Sequence, residues 1–199
     1  MKKFELTAEF VTNVFGKKLF RIKALVAFGN VEKGELGGFI EKEDNLSHDG
    51  DAWVYGNAQV SGDARVYGNA RVYGNAQVSG DARVYGNAQV SGDALVSGNA
   101  RVSGNARVYG DAWVYGNAQV SDDADYAVVK GFGRCFRTTT FFRCKDKILR
   151  VQCGCFYGDL AQFREIVKKT HGDSKYAKEY LAIADLMELH FSDECGGEQ

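Results

Sequence analysis

Between residues 130 and 150 the chain carries Lys130, Arg134, Arg137, Arg143, Lys145, Lys147 and Arg150 against Asp146 alone, seven minus one, or +6 over this stretch. Residues 134–143, Arg-Cys-Phe-Arg-Thr-Thr-Thr-Phe-Phe-Arg, are rich in β-branched and aromatic types and read as a strand. Alternate side chains of a strand share a face, which groups Arg137, Thr139, Phe141 and Arg143. Guanidinium groups, a hydroxyl and an aromatic ring on one face suit a phosphate-bearing ligand or a nucleobase. With Arg134, Lys147 and Arg150 these are the candidate ligand-binding residues. Gly131-Phe132-Gly133 adds backbone amides to the set. The competing reading is a solvated face paired with acids of the preceding segment, since residues 46–125 hold five Arg against nine Asp, hence −4.

Other reactive residues are few. Histidine occurs only at His48, His171 and His190. His171 sits before Gly172, where it suits a helix C-terminus, and no nucleophile is paired with it. His48 reads as a polar residue at the end of the repeats. Cys135, Cys144, Cys153 and Cys155 do not have the Cys-X2-Cys spacing of common zinc knuckles. Cys153 and Cys155 share a strand face with Leu149 and Val151, so buried thiols are the simpler reading. The residues imply no metal and no cofactor.

Two segments must position these groups. After residue 125, Lys145-Asp146-Lys147 reads as a turn and Ile148 to Cys155 as a second strand. Asp159 is placed to cap a helix from Leu160 to Thr170, ended by Gly172. Asp173 or Ser174 starts a second helix with Tyr176, Tyr180, Ile183, Leu186, Met187 and Phe191 as its apolar stripe. Residues 126–199 are thus a small α+β domain, with the Glu-Cys-Gly-Gly-Glu-Gln end frayed.

Upstream, valine recurs at every sixth position from Val54 to Val120 and alanine from Ala52 to Ala124. Glycine follows each valine by two, from Gly56 to Gly116, and Asn or Asp comes next. The unit Val-(Tyr/Ser)-Gly-(Asn/Asp)-Ala-X runs for twelve hexads without insertion. Ala-X-Val alternates like a strand, and Gly-(Asn/Asp) tolerates a left-handed turn. The pattern resembles the left-handed parallel β-helix of hexapeptide-repeat proteins, a large aliphatic residue followed by a small one four positions on. The resemblance implies about four coils of three hexads over residues 46–125, roughly 20 Å long at ~4.8 Å per coil. It also implies a homo-oligomer, trimer or dimer. The register extends upstream with Leu46 at the alanine position and His48 at the valine position. Residues 1–45 are left as a β-rich N-terminal cap that covers the open strand edges, with Phe4, Phe10, Phe15, Leu19 and Ile22 among its apolar residues.

Outward positions form columns with a spacing of three hexads. Arg65, Arg83 and Arg101 make one, and Tyr55, Tyr73, Ser91 and Tyr109 another. Tyr67, Tyr85, Ser103 and Ser121 make a third. Stacked like charges repel, and Asp63 and Asp81 are the expected neighbours of the arginines. The Tyr/Arg columns are candidate protein-interface residues, with a solvated solenoid surface as the alternative; Trp53 and Trp113, also outward, are interface candidates toward the cap, the C-terminal domain or another subunit.

Composition closes several classes. With 25 Lys+Arg against 26 Asp+Glu the net charge is −1, which gives no global attraction to nucleic acid or anionic membrane. There is no Pro, so proline-rich linkers are absent. No apolar run approaches the ~18 residues of a membrane span. The start, Met1-Lys2-Lys3-Phe4-Glu5-Leu6, has no apolar signal core, and five cysteines, an odd number, fit a reduced cytoplasm.

Gly-Phe-Gly-Arg, Thr-Thr-Thr-Phe-Phe, Cys-Gly-Cys-Phe-Tyr-Gly-Asp-Leu-Ala-Gln-Phe and Thr-His-Gly-Asp-Ser-Lys-Tyr resemble a module carried by phage and prophage proteins. Phe-Gly-Asn-Val-Glu-Lys-Gly-Glu-Leu-Gly-Gly-Phe-Ile-Glu is similar to the cap of the same hexapeptide-repeat proteins. The resemblance implies a phage accessory protein of a family loosely labelled as transferases from the repeat alone. The expectation is a non-enzymatic binding protein that antagonises host defence by holding a nucleotide signal or a defence protein. The alternatives are a hexapeptide-repeat acyltransferase, which would bind acetyl-CoA between coils, and a structural or assembly component of the phage.

Overall fold

A computed structural model describes residues 1–192, so Cys195 and the end read as frayed lie outside the described residues. The chain divides into two compact units, Met1–Asp123 and Ala124–Gln199.

The first unit opens with three antiparallel strands, β1 (Phe4–Thr12), β2 (Lys18–Ala24) and β3 (Leu36–Ile40). Twelve short strands follow among the described residues, from β4 (Trp53–Val54) to β15 (Gln119–Val120), one per hexad and each ending on its valine. Each pairs in parallel with the strand three hexads on, as in Val54↔Val72 and Val72↔Val90. Three stacks of strands result, and the unit is a β-solenoid of four coils with an incomplete turn before them. Every repeat valine and alanine from Ala52 to Val120 is buried. The glycines from Gly56 to Gly116 run at φ between +59° and +72°, a left-handed turn that a Cβ would strain.

The cap and the coils share one sheet, because β3 pairs in parallel with β5 (Gln59–Val60). Gly37 and Gly38 allow that approach. A Cβ on Gly37 would collide with the Val54 carbonyl and Ile22, and one on Gly38 with the Ala58 carbonyl and Val54. Phe4, Leu19 and Ile22 are buried as expected, whereas Phe10 and Phe15 are exposed; the Lys18 ammonium lies over the Phe10 ring.

The upstream register differs from the expected one. Leu46, not His48, bridges Val66 and fills the valine column. Ile40 and Leu46 are in step with Val60 and Val66, so the two extra residues lie between Leu46 and Val54, and the buried column takes the apolar side chain. Asn45 is fully buried, and its Nδ2 donates to the Gly62 and Ala64 carbonyls at 3.0 and 2.9 Å, closing part of the strand edge. His48 instead stacks on Phe4 and accepts the Lys3 backbone N–H at 3.1 Å.

The second unit is a four-stranded antiparallel sheet, β16 (Tyr126–Phe132), β17 (Arg137–Arg143), β18 (Leu149–Cys153) and β19 (Phe156–Asp159), with helices α1 (Leu160–His171) and α2 (Lys175–His190). The expected first strand begins later, because Gly133 to Phe136 form the turn out of β16. The expected second strand ends at Cys153, where Gly154 turns the chain into β19. Asp159 caps α1 as expected: its carboxylate accepts the Gln162 N–H at 2.8 Å and the Gln162 side chain accepts the Asp159 N–H at 3.0 Å. Ser174 caps α2. The buried stripe of α2 is Ala177, Tyr180, Ile183, Ala184, Met187 and Phe191, while Tyr176 and Leu186 are exposed. No helix of the described residues is long and apolar enough to cross a membrane.

Candidate functional site

The face shared by Arg137, Thr139, Phe141 and Arg143 exists, but the helices cover most of it. Phe141 is fully buried and meets the Phe163 ring edge-on at 6.1 Å, so it belongs to the core rather than to a stacking surface. Thr139 is 2% exposed, and its hydroxyl donates to the Cys153 sulfur at 3.1 Å. Alternation assigns side chains to faces, but the helices decide which face is core. At one end Arg143 donates to the Phe191 carbonyl at 3.0 Å and lies 3.9 Å from the Asp125 carboxylate. Arg150 is held by Asp146 at 2.8 Å. Lys147 is exposed in the turn before β18 at φ +62°. These three do not join Arg134 and Arg137.

The other end of the same face opens into a cavity of about 260 Å³. Its floor is Phe156, Phe163, Val167 and Tyr180, and its rim carries Arg134, Arg137 and His171. Cys135, Cys153 and Cys155 line its wall, Cys135 and Cys155 exposed and Cys153 half-buried. The buried-thiol expectation for Cys153 and Cys155 is thus met only in part by Cys153 and not by Cys155, which lies beyond the end of β18, while Cys144 is buried. Burial pushes the Tyr180 phenol up to about 12, with Cys153 and Cys135 nearby adding to the effect. Tyr180 remains a protonated donor at neutral pH, and its hydroxyl donates to the Phe132 carbonyl at 3.4 Å.

Two glycines shape this cavity by close approach. A Cβ at Gly133 would overlap the Tyr180 ring, and one at Gly154 would overlap the Arg137 guanidinium. The Gly133 N–H donates to Glu179 at 2.9 Å, so it is not directed at an anion. The remaining combination is chemically specific. An apolar, aromatic floor accepts a flat ring, and two arginines on the rim accept an anionic group attached to it. Among the described residues no three His, Cys, Asp or Glu side chains converge as a metal-binding set. Sequence reasoning found Arg134 and Arg137 through their charge. It missed Phe163, His171 and Tyr180, which come from two helices and carry no local signal beyond apolar spacing.

On the coils, Trp53 is fully buried against Phe4 and Phe28, which is the expected contact with the cap and leaves it no surface for a partner protein. Tyr55 is half-buried. Tyr73, Tyr109 and Trp113 are exposed. The Tyr73 hydroxyl donates to Gln89 at 3.1 Å. Arg65, Arg83 and Arg101 are exposed on adjacent strands.

Residues 58–74, 64–78, 76–90, 88–103 and 100–116 match the YdcK beta solenoid repeat. These stretches lie within the coils and agree with their geometry: the chain is a repeat β-solenoid protein. No curated protein matches the chain.

Proposed function

We propose that this chain is a non-enzymatic binding protein whose α+β unit takes a small ligand with a flat ring and a phosphate, such as a nucleotide. One observation carries the reading: the aromatic-floored cavity with Arg134 and Arg137 on its rim. The ring would lie on Phe156 and Phe163, with the phosphate held by the two guanidinium groups. The coils serve as a scaffold, read here as left-handed because of the hexapeptide period. The resemblance to phage and prophage proteins supports an accessory role in the host cytoplasm. There, holding a nucleotide signal or a defence protein would antagonise host defence, and a trimer or dimer would multiply the sites.

Calorimetric titration with adenosine monophosphate, adenosine and inorganic phosphate tests the reading. The monophosphate should bind most tightly, and Arg134→Gln with Arg137→Gln should weaken it by about tenfold or more. Equal binding by wild type and double variant, or adenosine binding as well as its monophosphate, would overturn it.

A further inference from the structure

The outward residues of the coils are distributed unevenly. One stack of strands presents Arg71, Gln89 and Arg107 below the buried Trp53, and a second presents Gln59, Gln77, Leu95 and Trp113. Neither places two arginines on adjacent strands. The third, formed by β6 (Arg65–Val66), β9 (Arg83–Val84), β12 (Arg101–Val102) and β15, pairs Arg65 with Arg83 and Arg83 with Arg101 in parallel register. The three guanidinium groups thus form a row with a strand spacing of about 4.8 Å.

Adjacent like charges on a sheet repel, and the expected neighbour Asp63 is ion-paired elsewhere, feeling Arg65 only as a weaker attraction. Asp63 is held by Lys42 at 2.6 Å. No carboxylate of the described residues lies within ion-pair distance of Arg65, Arg83 or Arg101. By contrast Lys2, Lys17, Arg21 and Lys42 of the cap are each paired with an acid. The next column adds donors. Tyr67 and Tyr85 stack face to face at 4.9 Å and 1°, and Ser103 continues the line. Burial raises the Tyr67 phenol, which keeps it protonated. The guanidinium row thus lies beside a line of hydroxyls, with no carboxylate of the described residues within ion-pair distance of its three arginines.

We infer that the Arg65–Arg83–Arg101 face is a docking surface for an acidic segment of a partner protein, one presenting two or three carboxylates in line. The face is open and exposed, and its arginine and tyrosine content is that of protein–protein hot spots. A long polyanion such as nucleic acid fits less well. It would run past the −4 charge of residues 46–125, whereas a short acidic segment meets only the row. This surface is separate from the cavity of the α+β unit and stands or falls without it.

The test uses the full chain and a fluorescently labelled Glu-rich peptide, with inorganic tripolyphosphate and a thymidine oligonucleotide as rival probes. Glutamine already occupies Gln59, Gln77, Gln89 and Gln119 at equivalent positions, so Arg83→Gln preserves the coil. Arg71→Gln, on another face, makes the same charge change. The peptide should bind at about 50 mM salt and weaken as salt rises. Arg83→Gln should weaken it about tenfold and Arg71→Gln should leave it unchanged. Equal loss in both variants, absence of peptide binding, or preference for tripolyphosphate or the oligonucleotide would overturn the inference.

Discussion

In the coils one hexad is written twelve times, and each valine is buried against copies of itself one coil away. In the α+β unit the core has no repeat: Phe141, Phe163, Tyr180, Met187 and Phe191 come from one strand, two helices and the C-terminal cap of α2 and fit each other once. The repeat yields flat faces that differ only in their outward residues. The non-repeating unit yields a concave cavity, because side chains of different size leave one end of a helix-covered face unfilled. Regular packing thus suits a surface that reads another surface, and irregular packing suits a pocket.

The largest way to break this contrast is Val90→Asp. Val90 lies between Val72 and Val108 in a continuous buried column, so a carboxylate there has no partner. The expected loss exceeds about 4 kcal/mol, and the β signal of the coils should collapse in circular dichroism while the helical signal of α1 and α2 remains. Loss of both signals together would show that the two units do not stand apart.

Lys3 sharpens the contrast at the edge of the coils. It is 3% exposed, and its Nζ donates to the Gly50 and Ala52 carbonyls at 3.1 and 2.9 Å. Burial lowers its ammonium from 10.5 to about 8, against the opposing pull of Asp51 and Asp49. Folding therefore favours the neutral amine. Below pH 8 the folded chain bears the full cost of a buried charge, and stability should rise between about pH 8 and 10.5. The rise is at most about 3 kcal/mol. Lys3→Met should remove it, as read from denaturant midpoints of both proteins across that range.

The smallest effect is expected at Asp159. Its Ala variant loses the cap of α1 and should destabilise the α+β unit by about 1 kcal/mol, with the coils unchanged in thermal melts. A larger change in the coils would contradict the local role of the cap.

The hexad and the caps of α1 and α2 are legible in the sequence because each acts over a short span. Asp159 reaches Gln162 three positions on, and the repeat brings its own partner into register. The misplaced residues are those whose surroundings come from far along the chain. Alternation puts Phe141 on a ligand face because it cannot say which face two later helices will cover. The period puts His48 in the valine column because it does not reveal the shift that brings Leu46 there. Trp53, at an outward position, makes one of the contacts expected of it, with Phe4 and Phe28 of the cap, but the repeat alone did not choose the cap over another subunit.

The sequence by itself determined a β-solenoid of six-residue units, a cap and an α+β unit, since periodicity and local capping are translated directly into backbone pairing. Only the tertiary structure decided which charges are spoken for. Arg143, Arg150 and Lys42 are held by Asp125, Asp146 and Asp63, while Arg134 and Arg137 border a cavity and Arg65, Arg83 and Arg101 face outward in a row. The physical reason is range: a hydrogen-bonded repeat is set by neighbours along the chain, whereas the neutralisation of a charge depends on whatever acid the fold brings within a few ångströms.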